Sequence, residues 1–115
     1  MIRGGRALVY VSDVARAVKF WVEVMGAKLV VGSPQWSVLD LGGIELAVHP
    51  KSEHAAAPGV AGAIGLGLDV DDIESAVAVY ANRGVTFERV STPHVELAYF
   101  GDPDGNRFYL AQPKR

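Results

Sequence analysis

Glu45 and His49 stand four residues apart in "IELAVHP", residues 44–50. Apolar residues alternate with polar or small ones through this stretch, so it predicts a strand, and residues an even number apart share one of its faces. A carboxylate and an imidazole on one face are ligand types for a divalent metal, and a carboxylate close to a substrate can take a proton. His94 and Glu96, in "PHVELAYF", could join them in such a metal site. A two-residue Gly42-Gly43 turn would set Asp40 opposite Glu45, placing two carboxylates side by side. Each feature also has an ordinary structural explanation. His49 ends its strand beside Pro50 and can simply be solvated, a strand-edge carboxylate commonly faces water, and His94 follows a proline in a turn.

The elements that position these residues occur twice. "VYVSDVARAVKFWVEVMGAKLV" (9–30) aligns with "GLDVDDIESAVAVYANRGVTFERV" (67–90), with Asp13 matching Asp72 and Gly26 matching Gly84 after a one-residue insertion or deletion. Ser33-Pro34 and Thr92-Pro93 then open matching hairpin regions. Ser12 or Asp13 can cap the first helix, whose apolar stripe is Val14, Ala17, Val18, Trp21 and Met25. Asp71 or Asp72 can cap the second, with Asp71 and Glu74 at capping-box spacing, and its stripe is Ile73, Ala76, Val77 and Tyr80. Gly26 and Gly84 stop the two helices. Three strand-like segments follow each helix, so each half is a βαβββ module. The boundaries fall at about 4–49 and 63–113, with a Pro-, Gly- and Ala-rich linker at about 50–62. The fold class is α+β, and the whole is a single domain.

Alternation then assigns faces. Turned away from the helices are Arg6, Leu8 and Tyr10, and also Trp36, Val38, Asp40, Glu45, Ala47 and His49. The second module contributes Gly65, Gly67 and Asp69, then His94, Glu96, Ala98 and Phe100, then Arg107, Tyr109 and Ala111. Phe108 and Leu110 are assigned to the core. Aromatics, charges of both signs and strand glycines together suit a small ligand with apolar bulk and a few polar groups. Acidic residues outnumber basic ones on this surface, which favours a cationic ligand.

Composition narrows the rest. The chain has 115 residues, no cysteine and a formal charge of −2. Disulfides and thiolate metal sites are excluded, and a basic face for nucleic acid is missing. No apolar run reaches a membrane span, and the N-terminus lacks the apolar core of a signal peptide, so a soluble cytoplasmic protein is expected.

"VSDVARAVKFWVEVMG" and "FGDPDGNRFYL", together with the duplication, resemble the vicinal oxygen chelate superfamily of glyoxalase I, extradiol dioxygenases and bleomycin-resistance proteins. The resemblance implies two modules whose sheets form an open, U-shaped trough with the helices outside. It also implies a ligand in that trough and, commonly, a homodimer. Enzymes of the superfamily that use a metal take one ligand from each of four strands. By motif those positions are Arg6, Glu45, Gly65 and Tyr109, of which only Glu45 matches. An arginine has no acceptor for a cation and glycine has no side chain. No metal or other cofactor is therefore expected. Arg6 and Glu45 should either form an ion pair in its place, with Tyr109 hydrogen-bonded nearby, or stand partly exposed at the trough mouth and contribute under about 1 kcal/mol.

The expected function is metal-independent binding of a small molecule, a drug or metabolite held by Arg6, Tyr10, Trp36, Asp40, Glu45, His49, Gly65, Gly67, Phe100, Arg107 and Tyr109. The alternatives are a lyase, isomerase or epimerase with Glu45 as catalytic base, or a metal enzyme with a displaced site. Neither a nucleic acid nor a membrane is an expected partner.

Overall fold

A computed structural model describes Met1, residues 6–50 and residues 66–114; Gly65, His54 and nearly all of the expected linker lie outside the described residues. The chain divides into two compact units, Met1–Val60 and Ala61–Arg115. The first runs β1 (Ala7–Val11), α1 (Val14–Lys19), a π-helical turn (Phe20–Val24), β2 (Lys28–Gly32), β3 (Ser37–Asp40) and β4 (Glu45–Pro50). The second runs β5 (Leu66–Asp69), α2 (Ile73–Asn82), β6 (Glu88–Ser91), β7 (Val95–Gly101) and β8 (Arg107–Pro113). Each is βαβββ with a four-stranded mixed sheet, ordered β1-β4-β3-β2 in one and β5-β8-β7-β6 in the other. In both, the strand before the helix pairs parallel with the last strand, and the remaining pairs are antiparallel. Among the described residues, no helix is long and apolar enough to cross a membrane.

The duplication extends to individual hydrogen bonds. Asp13 and Asp72 are the N-caps, their carboxylates accepting from Arg16 N at 3.1 Å and Ser75 N at 3.2 Å. Asp71 is therefore not the cap. After each helix, Ser33 Oγ accepts from Trp36 N at 3.2 Å and Thr92 Oγ1 from Val95 N at 3.0 Å, building the same hydroxyl-braced turn in both halves. Gly26 and Gly84, at φ +81° and +97°, terminate the helices as their positions predict.

The halves differ where the first holds one extra residue. Between cap and stop glycine the first helix has one residue more than the second, and α1 absorbs it by widening into the π turn. Met25 N there donates to Phe20 O at 3.1 Å and Ala27 N to Trp21 O at 2.8 Å. A π turn is how a helix takes in a single inserted residue without losing the register of its apolar stripe. Trp21 accordingly stays on the buried side. It and Val11, Leu39, Leu46 and Val48 are all at most 1% exposed. Burying each such side chain contributes about 1.5–3 kcal/mol.

Candidate functional site

In the first unit, Leu39, Leu46 and Val48 are buried, and the face alternating with them is covered at Val38 and Ala47 and open at Leu8, Tyr10, Asp40, Glu45 and His49. Register places Leu8 beside Ala47 and Tyr10 beside His49 across β1 and β4, with Val38 beside Ala47 and Asp40 beside Glu45 across β3 and β4. The half-buried Trp36 ring stacks on the His49 imidazole at 5.8 Å with planes 20° apart. Arg6 Nη2 lies 3.6 Å from Glu45 Oε1, so the expected ion pair forms. Its side chains are 52% and 42% exposed, which leaves it worth at most about 1 kcal/mol.

Asp40 is occupied by its own turn. Its Oδ1 accepts from Gly42 N at 2.8 Å while Gly42 and Gly43, both at positive φ, carry the chain round to Glu45. Asp40 and Glu45 are thus register neighbours, as the spacing predicts. Yet Asp40 serves the turn, Glu45 pairs with Arg6 and His49 stacks on Trp36.

In the second unit two contacts fix which sheet face α2 covers. Arg89 on β6 bonds Glu74 on α2 at 2.6 Å, and Gln112 Oε1 on β8 accepts from Ile73 N at 2.8 Å. Register then sorts β7: Ala98 opposes Leu110 and Phe100 opposes Phe108, whereas Tyr99 opposes Tyr109 and Leu97 opposes Ala111. Phe100 is 3% exposed, stacks on Phe108 at 5.8 Å and meets Phe87 edge-on at 5.7 Å. The expectation that Ala98 and Phe100 line the open face is therefore corrected, because both are core. Glu96 belongs to the same side. Its carboxylate takes the Ser91 hydroxyl at 2.6 Å and Lys114 Nζ at 3.1 Å, and these contacts hold it below the usual glutamate range.

Tyr99 is the open-face aromatic that alternation missed. It lies 5.5 Å from the Tyr109 ring, and the Arg107 guanidinium sits 4.6 Å over its centroid. Arg107 also bonds Glu88 Oε2 at 2.8 Å. The signal was in the hairpin: pairing across "DPDGN" sets Phe100 opposite Phe108, and the helix-face reading of Phe108 carries Phe100 with it. Glu96 thus leaves the acidic set assigned to the open face, which keeps Asp40, Glu45 and Asp69 alongside Arg6 and Arg107.

Gly67 keeps its space for a neighbouring side chain rather than leaving it open. A Cβ there would overlap Cε2 and Cζ of Tyr109, its register partner on β8. The Asp102–Asn106 turn that leads into β8 is closed by a buried carboxylate. Asp102 accepts from Asn106 N at 2.8 Å, Asn106 Nδ2 at 2.9 Å and Asp104 N at 3.0 Å. Burial nonetheless pushes its pKa up, against the pull of those donors.

The positions that the resemblance assigns to a metal are Arg6, Glu45, Gly65 and Tyr109. Arg6 brings a positive charge, Glu45 already carries that charge as its partner, Tyr109 leans over Gly67, and Gly65 lies outside the described residues. Among the described residues, no three His, Asp or Glu side chains gather where they could hold a metal ion.

Residues 4–110 match the family model described as the Glyoxalase/Bleomycin resistance protein/Dioxygenase superfamily. The fold is similar to that of TnmS3, an antibiotic binding protein from Streptomyces sp. CB03234, at 30% identity over 99% of both chains and a TM-score of 0.83. A glyoxalase/bleomycin resistance protein from the same organism is 31% identical over 94% of this chain and 100% of its own, with a TM-score of 0.75. A superfamily member from Sphaerobacter thermophilus DSM 20745 is 28% identical over 96% and 97%, with a TM-score of 0.79. No curated protein sequence matches. With its two βαβββ modules and its DPDGN hairpin, this chain belongs to the glyoxalase/bleomycin resistance protein/dioxygenase superfamily.

Proposed function

We propose that this protein binds and sequesters a planar, drug-like small molecule without a metal ion. The observation that carries the reading is the stacked Trp36–His49 pair, half-buried on the open face of the first module with Tyr10 beside His49 in register. Stacked rings on a sheet face offer a flat apolar platform edged by polar atoms, which is what a planar ligand needs. Arg6 and Glu45, in the same module, supply polar groups. The similarity to an antibiotic binding protein across nearly the full chain supports the same reading. Sequestration needs affinity alone, and no residue has to act as a base. A cytoplasmic homodimer is part of the proposal, on the resemblance to a family whose members commonly dimerise.

The test is tryptophan fluorescence against a panel of ethidium, ciprofloxacin, tetracycline and bleomycin. Trp21 is fully buried, so quenching reports Trp36. One or more of these should quench saturably, and Trp36→Ala should weaken that ligand by about tenfold or more, as measured by calorimetry. Saturable binding that is unchanged in both Trp36→Ala and His49→Ala overturns the placement. Absence of binding across the panel overturns the function.

A further inference from the structure

A cavity of about 250 Å³ opens at the hairpin end of the second sheet. It lies between Phe87 and Glu88 at the start of β6, Tyr99 and Gly101 at the end of β7, and Gly105 and Arg107 at the start of β8. All of these residues belong to one compact unit, and none belongs to the first module's aromatic platform.

We propose that this cavity is a second binding site, and that it takes a single-ring aromatic carboxylate. Size comes first. Drug-sized ligands occupy cavities of roughly 300–1,000 Å³, so this one suits one ring with one substituent. The walls set the chemistry. Phe87 and Tyr99 supply aromatic surface, and Gly101 and Gly105 also line the cavity, with open space where a Cβ on Gly105 would stand. Arg107 supplies the charge. One face of its guanidinium lies over Tyr99, the recorded bond to Glu88 uses Nη2, and the side chain is still 56% exposed. A guanidinium has five N–H donors in a planar fork that matches a carboxylate, so Arg107 can receive one edge-on while held flat by Tyr99.

The sign of the ligand's charge follows from what is already in place. A cationic ligand would compete with Arg107 for the Tyr99 ring that Arg107 covers. An anionic ligand competes only with Glu88, whose side chain is 67% exposed, and exchanging an exposed ion pair costs little. Glu88 is thus an internal competitor for the guanidinium.

That gives an asymmetric test with benzoate, benzylamine and cyclohexanecarboxylate as probes, followed by amide chemical shifts on the labelled full chain. Benzoate should bind at millimolar concentration and move the amides of Gly101, Gly105 and Arg107. Benzylamine should not, and cyclohexanecarboxylate should bind more weakly than benzoate. Arg107→Gln should abolish the shifts, and Glu88→Gln should tighten benzoate by about threefold or more. Both substituted side chains are exposed, so the fold is retained, and the amide spectrum verifies this directly. Tightening in Glu88→Gln is the result that a purely structural Arg107–Glu88 pair would not give. Equal binding of benzylamine, weaker binding in Glu88→Gln, or no shifts at 20 mM benzoate (roughly the limit for so small a ligand) overturns the proposal. Loss of the Trp36 platform leaves these readouts unchanged, so the two sites fail separately.

Discussion

The Tyr109 ring lies across Gly67 on the neighbouring strand, in the space that a side chain at position 67 would take. The two residues are coupled: the ring can lie flat on the sheet only because β5 has no Cβ there. Gly67→Ala should therefore push the ring off its seat and destabilise the protein by about 1–3 kcal/mol, the ordinary cost of overpacking. In a Tyr109→Ala background the same change should be close to neutral. A double-mutant cycle from denaturant unfolding checks this, with a coupling energy of about 1 kcal/mol or more expected.

The Asp102 carboxylate closes the hairpin that aims β8. Asp102→Ala strands three N–H groups inside a turn where the residue is 6% exposed, and should cost about 2–4 kcal/mol. Asp102→Asn keeps an acceptor and should cost less. The two variants also separate by pH. Because burial raises the folded-state pKa above the ordinary 3.8, the native protein binds this proton more readily than the unfolded chain. The group therefore destabilises most above its folded pKa and recovers stability as pH falls through that value toward 3.8. The melting-temperature gap between the wild type and Asp102→Asn should widen in the wild type's favour from pH 7 to pH 4.

Exposed carboxylates pull the opposite way. The Arg89 hydrogen bond lowers the pKa of Glu74, and the Ser91 hydroxyl lowers that of Glu96, with Lys114 adding to it. Each contributes stability that is present above the unfolded-state pKa and is lost as pH falls through the depressed folded value. Glu74→Gln with Glu96→Gln should lower stability at pH 7 and flatten the acid side of the curve, the variant and the wild type converging as pH falls, as thermal unfolding from pH 7 to pH 3 would show.

Much of this was legible from the sequence because the chain states it twice. Asp13 and Asp72 cap, Ser33 and Thr92 brace, and Gly26 and Gly84 stop at matching offsets, so a local signal in one half is checked by the other. Face assignment failed on β7, where "VELAYF" is apolar on both sides and alternation alone has no preferred phase. Cross-strand pairing with Phe108 supplies the phase. Arg6–Glu45 was readable from motif spacing, whereas the Arg107–Glu88 pair joins β8 to β6, strands held apart by β7, and depends on side-chain reach.

The one-residue difference between the helices carried structural information that the alignment treated as a gap. Deleting the exposed Glu23 should collapse the π turn to α-helix while keeping Trp21 buried, and the protein should still fold. Deleting Val79 from α2, which has no residue to spare, should shift the following stripe off the core. Unfolding free energies of the two deletions, from denaturant titration, should differ by about 2 kcal/mol or more in favour of the first.

A metal ion tests the Arg6–Glu45 pair most directly. If Glu45 were a metal ligand, removing the neighbouring guanidinium would strengthen the site. If it is only Arg6's partner, removing Arg6 leaves an exposed carboxylate that still lacks companions. Thermal-shift titrations with Ni, Zn, Mn and Fe(II) should therefore show no saturable stabilisation in the wild type or in Arg6→Ala, and Arg6→Ala itself should cost under about 1 kcal/mol. EDTA should leave the Trp36-reported affinity unchanged. Stabilisation saturating at micromolar metal would instead reveal ligands beyond Glu45, and would return metal-dependent chemistry to this fold face.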